Sequence, residues 1–272
     1  MKYHRKTLTF VIVLKFDLIF ALGVLETLSF SFSLCLFFLF SSVDTNKTIS
    51  CFSTFSNLIS IDKSKMVHYK LTYFDARGLA ETARQLFVLA DVEFEDNRLT
   101  VEEFQRLKPT LPSGQVPILS VDGFEISQSA AIWRYLARKF GLSGNTPEEE
   151  ATADSVVDHF KDFLVSFKHY GAGLFFGKSQ DELDRARKEI VEPAVQVYFS
   201  VLKKYLEKSG TGYLVGSKLT FADIAVAENL TTLKNTDFFK PEEEKTLASF
   251  HQKVLETPKL KEYLEKRKFS TL

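Results

Sequence analysis

The stretch Gln115 to Ser129, QVPILSVDGFEISQS, restricts the fold more tightly than any other part of the chain. Val116-Pro117 opens it. A proline entering the apolar run Val116 to Leu119 removes one ladder donor, so it belongs at a strand's first residue or on an edge. An X-Pro bond also adopts cis at a cost of only about 0.5–1 kcal/mol. A strand begun this way leaves the backbone of Val116 available to an extended peptide ligand. Asp122-Gly123 then predicts a tight hairpin between Val116–Val121 and Phe124–Ile126. Ser127-Gln128-Ser129 starts the helical pattern Ala130, Ile132, Tyr135, Leu136, and a helix N-terminus suits a carboxylate. Any one of these features is an ordinary hairpin or cap, but together they describe a ligand-binding edge.

Charge and cysteine content narrow the chemistry. The 272 residues carry equal numbers of acidic and basic side chains, which gives no electrostatic footprint for nucleic acid. Both cysteines, Cys35 and Cys51, lie in residues 1–65, and none follows Met66. From Met66 onward this excludes a protein thiol nucleophile, a CxxC redox centre, a thiolate metal site and a disulfide framework, and no metal is expected. Sulfur chemistry there requires a ligand that brings the sulfur.

Residues 1–65 have a different composition. MKYHRK precedes a long apolar stretch in the manner of a signal peptide or anchor. Lys15, Asp17 and Glu26 interrupt it, and the uncharged run between Glu26 and Asp44 contains five serines. A bilayer span needs about 20 mostly apolar residues, and an acidic residue at its centre costs about 2.5–3.5 kcal/mol. Two readings stand side by side: a segment that secretes or anchors the protein, or translated upstream sequence ahead of a start at Met66. The fold is therefore argued from Met66, with a first domain over 66–143 and a second over 144–272.

His68 to Phe74 alternates and is rich in β-formers, which predicts a strand. Arg77-Gly78 opens a helix with the stripe Ala80, Ala83, Phe87, Ala90, and Glu93 to Leu99 gives a second, parallel strand. Val101 to Lys108 makes a short helix ending at Pro109, followed by the hairpin and its helix. The order βαβαββα, with the proline-led strand third, is a thioredoxin-like layout. Gly141 to Pro147 is a linker. Beyond it everything is helical, with one stripe on Ala153, Val156, Val157, Phe160, Phe163, Leu164, Phe167 and another on Ile190, Ala194, Val197, Val201, Leu202. Thr220-Phe221-Ala222-Asp223 is a capping box ahead of a buried helix.

MVHYKLTYFDARGLAE, LPSGQVPILSVDGFEISQSAAIWRYLARKFGLSGNT and KLTFADIAVAE together resemble the cytosolic glutathione transferases, most closely the sigma class that includes glutathione-dependent prostaglandin D synthase. The resemblance spans 66–272. It implies a thioredoxin-like α/β domain followed by an all-α domain, a cytoplasmic homodimer, reduced glutathione as co-substrate, and a hydrophobic electrophile as second substrate. Tyr73, at the end of the first strand, matches the catalytic tyrosine that hydrogen-bonds the thiolate, while Tyr69 on the same strand matches no site residue. The glutathione-binding positions it implies are Phe74, Arg77, Phe104, Lys108, Gln115, Val116, Pro117, Gln128 and Ser129. Gln128 and Ser129 match the γ-glutamyl carboxylate site, Val116 the backbone that pairs with the cysteinyl unit, and Lys108 and Gln115 the glycine end. Asp162 matches an acidic residue that reaches the ligand across the dimer.

Two positions depart from the family pattern. Phe104 stands where many sigma members carry tryptophan, and Leu79 replaces an arginine that supports the thiolate in prostaglandin synthases, with Arg77 as its nearest substitute. Phe74, His169, Tyr170, Phe175 and Phe176 are candidates for the electrophile's apolar wall. The alternative functions are a prostaglandin isomerase and a carrier of hydrophobic ligands without turnover. Asp223 matches a folding residue of the family.

Overall fold

The computed structural model describes residues 67–272, which form one compact unit. The targeting, anchoring and start-site expectations for residues 1–65 lie outside the described residues. Among the described residues no helix is long and apolar enough to cross a membrane.

Strand β1, Tyr69–Phe74, buries Tyr69 and Leu71 at alternate positions, as the two-residue period of a half-covered strand requires. Helix α1, Glu81–Ala90, follows a short 3-10 turn over Gly78–Ala80. It ends where Asp91 turns left-handed with φ 58°. Strand β2, Glu95–Leu99, then returns parallel to β1, in register from Lys70↔Glu95 to Phe74↔Leu99. It starts two residues later than the sequence pattern suggests. Helix α2, Val101–Leu107, is held by a reciprocal Thr100/Glu103 capping box and runs into a 3-10 turn at Lys108–Thr110. Pro109 sits inside that turn, where its missing N–H is tolerated.

Strands β3, Ile118–Val121, and β4, Phe124–Ser127, form the expected hairpin around Asp122 (φ 50°) and Gly123 (φ 88°). Both residues are left-handed, as a two-residue hairpin turn of primed type demands. The sheet order is β2-β1-β3-β4, with β1 parallel to β2 and antiparallel to β3. Helix α3, Ser129–Phe140, buries Ala130, Ile132, Trp133, Leu136 and Ala137 and packs against α1. This is the thioredoxin-like α/β domain expected from the element order.

Gly141, left-handed at φ 70°, ends α3 and begins the linker. Helix α4, Pro147–Phe176, buries Ala153, Val156, Val157, Phe160, Phe163 and Phe167, with Leu164 packed at the margin. Helix α5, Gln180–Ala186, passes through a π turn at Arg187–Val191 into α6, Glu192–Ser209. Here the expected stripe holds only in part: Leu202 is buried and Ala194 packs at the margin of the core. The buried positions are Val191, Val195, Tyr198, Phe199, Leu202 and Leu206, while Ile190 and Val197 face out. The outward positions hold Ile190 and Val197 alongside Glu192, Gln196 and Ser200, so the placing of the valines and isoleucine alone does not choose the phase. The π turn just ahead of Pro193 shifts the helical phase, and the aromatic pair Tyr198 and Phe199 goes inward.

Helix α7, Phe221–Asn235, is buried along most of its length, and α8, Lys245–Leu255, and α9, Pro258–Lys266, complete the second domain. The Thr220/Asp223 capping box is present. Asp223 Oδ2 accepts from the Thr220 N–H at 2.8 Å and hydroxyl at 2.7 Å, and Oδ1 accepts from the Leu214 N–H at 2.7 Å. Burial pushes this carboxyl up to about 6 against the downward pull of those bonds. One side chain therefore starts α7 and pins the loop before it, and losing the cap costs about 0.5–2 kcal/mol.

Candidate active site

Sheet register assembles the site. Thr72 pairs with Ile118, and Ile118 pairs with Ser127, so the end of β1, the start of β3 and the end of β4 lie in one row across the sheet. Tyr73, Val116-Pro117 and Gln128-Ser129 therefore sit at the same edge. On the other side Tyr73 pairs with Arg98, one residue before Leu99 and the start of α2, which carries Phe104 and leads to Lys108. Residues far apart in sequence meet because strand ends at one edge of a sheet must meet.

Each component has a local physical cause. The Val116-Pro117 bond is cis, and β3 begins directly after it. Val116 is half-buried and its residue lies outside the ladder. Gln128 has φ 73° and ψ 116°, a conformation rarely adopted by a residue with a side chain. That backbone joins the end of β4 directly to α3 without an intervening loop, and it makes Ser129 the helix's first residue. Ser129 is buried, whereas Gln128 and Gln115 are exposed. Lys108 is exposed, forms no ion pair among the described residues, and has its ammonium 6.0 Å from the Phe104 ring centre. Its aliphatic stem lies beside Gly114, which brings it next to Gln115.

Tyr73 is held from two sides. Its hydroxyl oxygen accepts from the Leu79 backbone N–H at 3.3 Å, which leaves its own proton for another acceptor. A Cβ on Gly78 would stand 2.6 Å from that oxygen and 2.9 Å from the ring, and Gly78 also has φ +40°. Gly78 is thus required twice, for its backbone angle and for the space it leaves. Burial pushes the Tyr73 phenol up, against smaller downward pulls from the Leu79 N–H and the Arg84 charge. Tyr73 therefore keeps its proton at neutral pH. Tyr69 has a different setting: it is buried edge-on to Phe87 at 5.2 Å and to Phe140 at 6.3 Å, as a core residue.

The aromatic side of the site runs outward from Phe74. Its ring is 5.5 Å from Tyr73, 5.0 Å from Phe104 and 5.4 Å from Phe175, and Phe175 is 5.1 Å from Phe176. Phe175 and Phe176 are exposed. Tyr170 belongs to another cluster, with Phe238 at 5.0 Å and the Arg187 guanidinium, and His169 is exposed. Asp162 is exposed on α4.

Arg77 needs correction. Its guanidinium is buried, ion-paired with Glu228 at 3.1 Å and hydrogen-bonded to the Thr232 hydroxyl, both on α7. It joins the two domains and has no charge left to stand in for the arginine missing at Leu79. Leu79 itself contributes through its backbone N–H, which reading side chains alone overlooks. Arg84 was also missed: it is buried, binds Asp96 with Nε at 3.1 Å, and donates through Nη1 to the Ala76 carbonyl at 2.8 Å. An arginine three residues after Glu81, in a helix otherwise buried, is the sequence signal for such a pair.

Residues 69–138 match the glutathione S-transferase N-terminal domain, and residues 165–267 match the C-terminal domain. Glutathione S-transferase 3 of Caenorhabditis elegans is 58% identical over 202 residues, which cover 74% of this chain and 98% of that protein. The chain belongs to the glutathione S-transferase family. It is a glutathione transferase by the names of its close relatives and by both domains. Among solved structures, a Nu-class glutathione S-transferase of Haemonchus contortus is 46% identical with a TM-score of 0.69, covering 76% of this chain and all of that one. A glutathione S-transferase of the hookworm Necator americanus, described as monomeric, is 40% identical with a TM-score of 0.69, covering 75% of this chain and all of that one.

The site residues of this transferase suit a tripeptide with a carboxylate at each end and a thiol between. The α3 N-terminus at Ser129 presents backbone amides of the kind that suit a carboxylate, and Lys108 is an exposed cation. Among the described residues no cluster of His, Cys, Asp or Glu has the arrangement of a metal site.

Proposed function

We propose that the chain conjugates the thiolate of reduced glutathione to hydrophobic electrophiles, with the Tyr73 phenol as hydrogen-bond donor to the sulfur. The observation that carries this reading is the setting of Tyr73. Its oxygen is occupied by the Leu79 N–H, Gly78 lies beneath it, and its proton is free at the sheet edge. A free thiol titrates near 8.5, so only a few per cent is thiolate at neutral pH. A hydrogen bond to the anion, worth about 1.5–3 kcal/mol, lowers that value by about one to two units. The thiolate fraction at neutral pH then rises from a few per cent to about a quarter to three quarters, and the anion attacks the electrophile while Tyr73 keeps its proton throughout.

In this reading Gln128 and Ser129 bind the γ-glutamyl carboxylate, Val116 pairs with the cysteinyl backbone behind Pro117, and Lys108, Gln115 and Phe104 flank the glycine end. Phe74 and Phe175 border the electrophile. We take the class to be sigma-like in its tyrosine-based chemistry, the place of action to be the cytoplasm, and the active form to be a homodimer in which Asp162 meets the ligand of the opposite subunit. Prostaglandin isomerisation is the less favoured reading, because Leu79 supplies no cation and Arg77 is engaged by Glu228.

Kinetics with a generic aryl halide test the proposal. Tyr73→Phe is expected to lower kcat/KM by about 10–100-fold, and an unchanged rate contradicts the assignment. Tight binding of hydrophobic ligands without any turnover in the wild type supports the carrier alternative instead.

A further inference from the structure

We propose that Arg267, just beyond α9, is a positioning residue for Tyr73: it closes a buried ion network that fixes the loop on which the phenol depends. The inference rests on the reading of Tyr73 as the thiolate donor.

The loop Asp75–Ala80 has little secondary structure of its own, yet it supplies the Leu79 N–H and the Gly78 surface that set the phenol. Its backbone is held by charged groups. Arg84 Nη1 donates to the carbonyl of Ala76 at 2.8 Å and reaches that of Arg77 at 3.4 Å. The Arg77 N–H donates to the Leu272 carbonyl at 3.1 Å. The Arg77 side chain pairs with Glu228, and Arg84 pairs with Glu81 at 3.0 Å.

Arg267 joins the two halves of this network. Its Nη1 lies 2.7 Å from Glu81 Oε1 and 3.0 Å from Glu228 Oε2, so one guanidinium serves two buried carboxylates on different domains. The remaining bonds are made by neutral groups, Tyr263 O–H to Glu81 at 2.9 Å and Gln85 Nε2 to Glu228 at 2.7 Å. Burial pushes the Glu81 carboxyl up, but Arg267 and Arg84 together hold it below the ordinary carboxylate range. Without Arg267, Glu81 and Glu228 are each short of a cation although both carboxylates are buried, which is strongly unfavourable. The nearest charges able to compensate are Arg84 and Arg77, the two side chains that fix the loop. Their movement toward the carboxylates releases the Ala76 and Arg77 backbone, and the Leu79 N–H moves with it.

The same C-terminal stretch touches the loop again, with Lys268 Nζ 3.5 Å from Asp75. Those groups are exposed, so that contact adds little. The effect resides in Arg267.

The test uses the full chain and titrates the thiolate absorbance of bound glutathione in wild type, Arg267→Met, Arg267→Lys, Tyr73→Phe and the Tyr73→Phe/Arg267→Met double variant. Arg267→Met is expected to raise the thiol midpoint by about half to one unit and to lower kcat/KM by about 3–10-fold. Arg267→Lys is expected to recover part of the shift, since a lysine restores the charge but does not place its nitrogen where the planar guanidinium holds Nη1 between the two carboxylates. In the Tyr73→Phe background Arg267→Met is expected to add no further shift, because a residue acting through the phenol has nothing left to act on. Equal shifts in both backgrounds overturn the inference. A shift on Tyr73→Phe with none on Arg267→Met overturns it while sparing the donor assignment, and no shift on Tyr73→Phe overturns both. If Arg267→Met does not fold, Tyr263→Phe, which removes only one bond to Glu81, carries the test in the same two backgrounds. Its expected shift is about a quarter to half a unit, and its absence overturns the proposal.

Discussion

The two ends of the aromatic line from Tyr73 to Phe176 are built in opposite ways. At the inner end the phenol has a backbone donor on its oxygen, a glycine beneath its ring, and a loop fixed by buried arginines. At the outer end Phe175 and Phe176 are in contact with each other and with Phe74 but are exposed, 40% and 69% respectively. The contrast teaches a division of labour. The Tyr73 phenol, the group proposed to act on the sulfur, is located by backbone geometry and buried charge, which tolerate little displacement. The wall proposed to face the second substrate is made of solvent-exposed rings, which are free to adapt to ligands of different shape.

Substitutions at the inner end should carry the largest effects. Tyr73→Phe removes the donor outright, and kcat/KM should fall by about 10–100-fold, whereas Tyr69→Phe on the same strand should leave the rate within about twofold. Steady-state kinetics with saturating glutathione check both. Gly78→Ala places a methyl group against the phenol oxygen and forces a side chain onto a left-handed backbone. A loss of about tenfold in kcat with a folded protein is expected. If Gly78→Ala is as active as wild type, the inner end is less rigid than the contrast requires.

A pH experiment separates stability from chemistry. His251 is buried against Phe239, with Nε2 2.8 Å from the Thr231 hydroxyl, and burial together with Lys234 lowers it to about 4. Its folded value lies below its unfolded one, so as pH falls below about 6.5 the unfolded chain takes up the proton first. The His251 contribution should fall by about 1 kcal/mol between pH 6 and 5 and level off below the folded value. Asp223 opposes it over the same interval, since its raised value of about 6 adds stability as it takes up its proton. Urea denaturation of wild type and His251→Gln across that range checks this: the stability of wild type relative to the variant should fall by about 1 kcal/mol from pH 6 to 5, while the thiol titration stays unchanged. The smallest effect is expected at the outer end: Phe176→Ala should change kcat/KM by less than about threefold, with a sign that depends on the electrophile. A large uniform loss at Phe176 breaks the comparison.

Much of this was legible in the sequence. The proline before Ile118, the Asp122-Gly123 turn and the Ser127-Gln128-Ser129 start of α3 are local signals, and the structure keeps all three. The Thr220/Asp223 capping box is equally local and equally present. What failed was non-local. Whether Val197 or Tyr198 faces inward depends on the phase set by the π turn at Arg187–Val191, which no periodicity within α6 reveals. Arg77 looks like a ligand contact when read beside Gly78, but its partners Glu228 and Thr232 lie more than a hundred residues away. Leu79 was judged by its missing cation, although the atom that matters is an amide every residue except proline possesses.

The account is tested most directly by the midpoint at which glutathione bound to the full chain becomes thiolate, followed by ultraviolet absorbance in wild type and Tyr73→Phe. The expected wild-type midpoint is about one to two units below that of free thiol, with a return to near 8.5 in the variant. Coincident titration curves for the two proteins contradict the account, since the sulfur then owes nothing to the phenol of Tyr73.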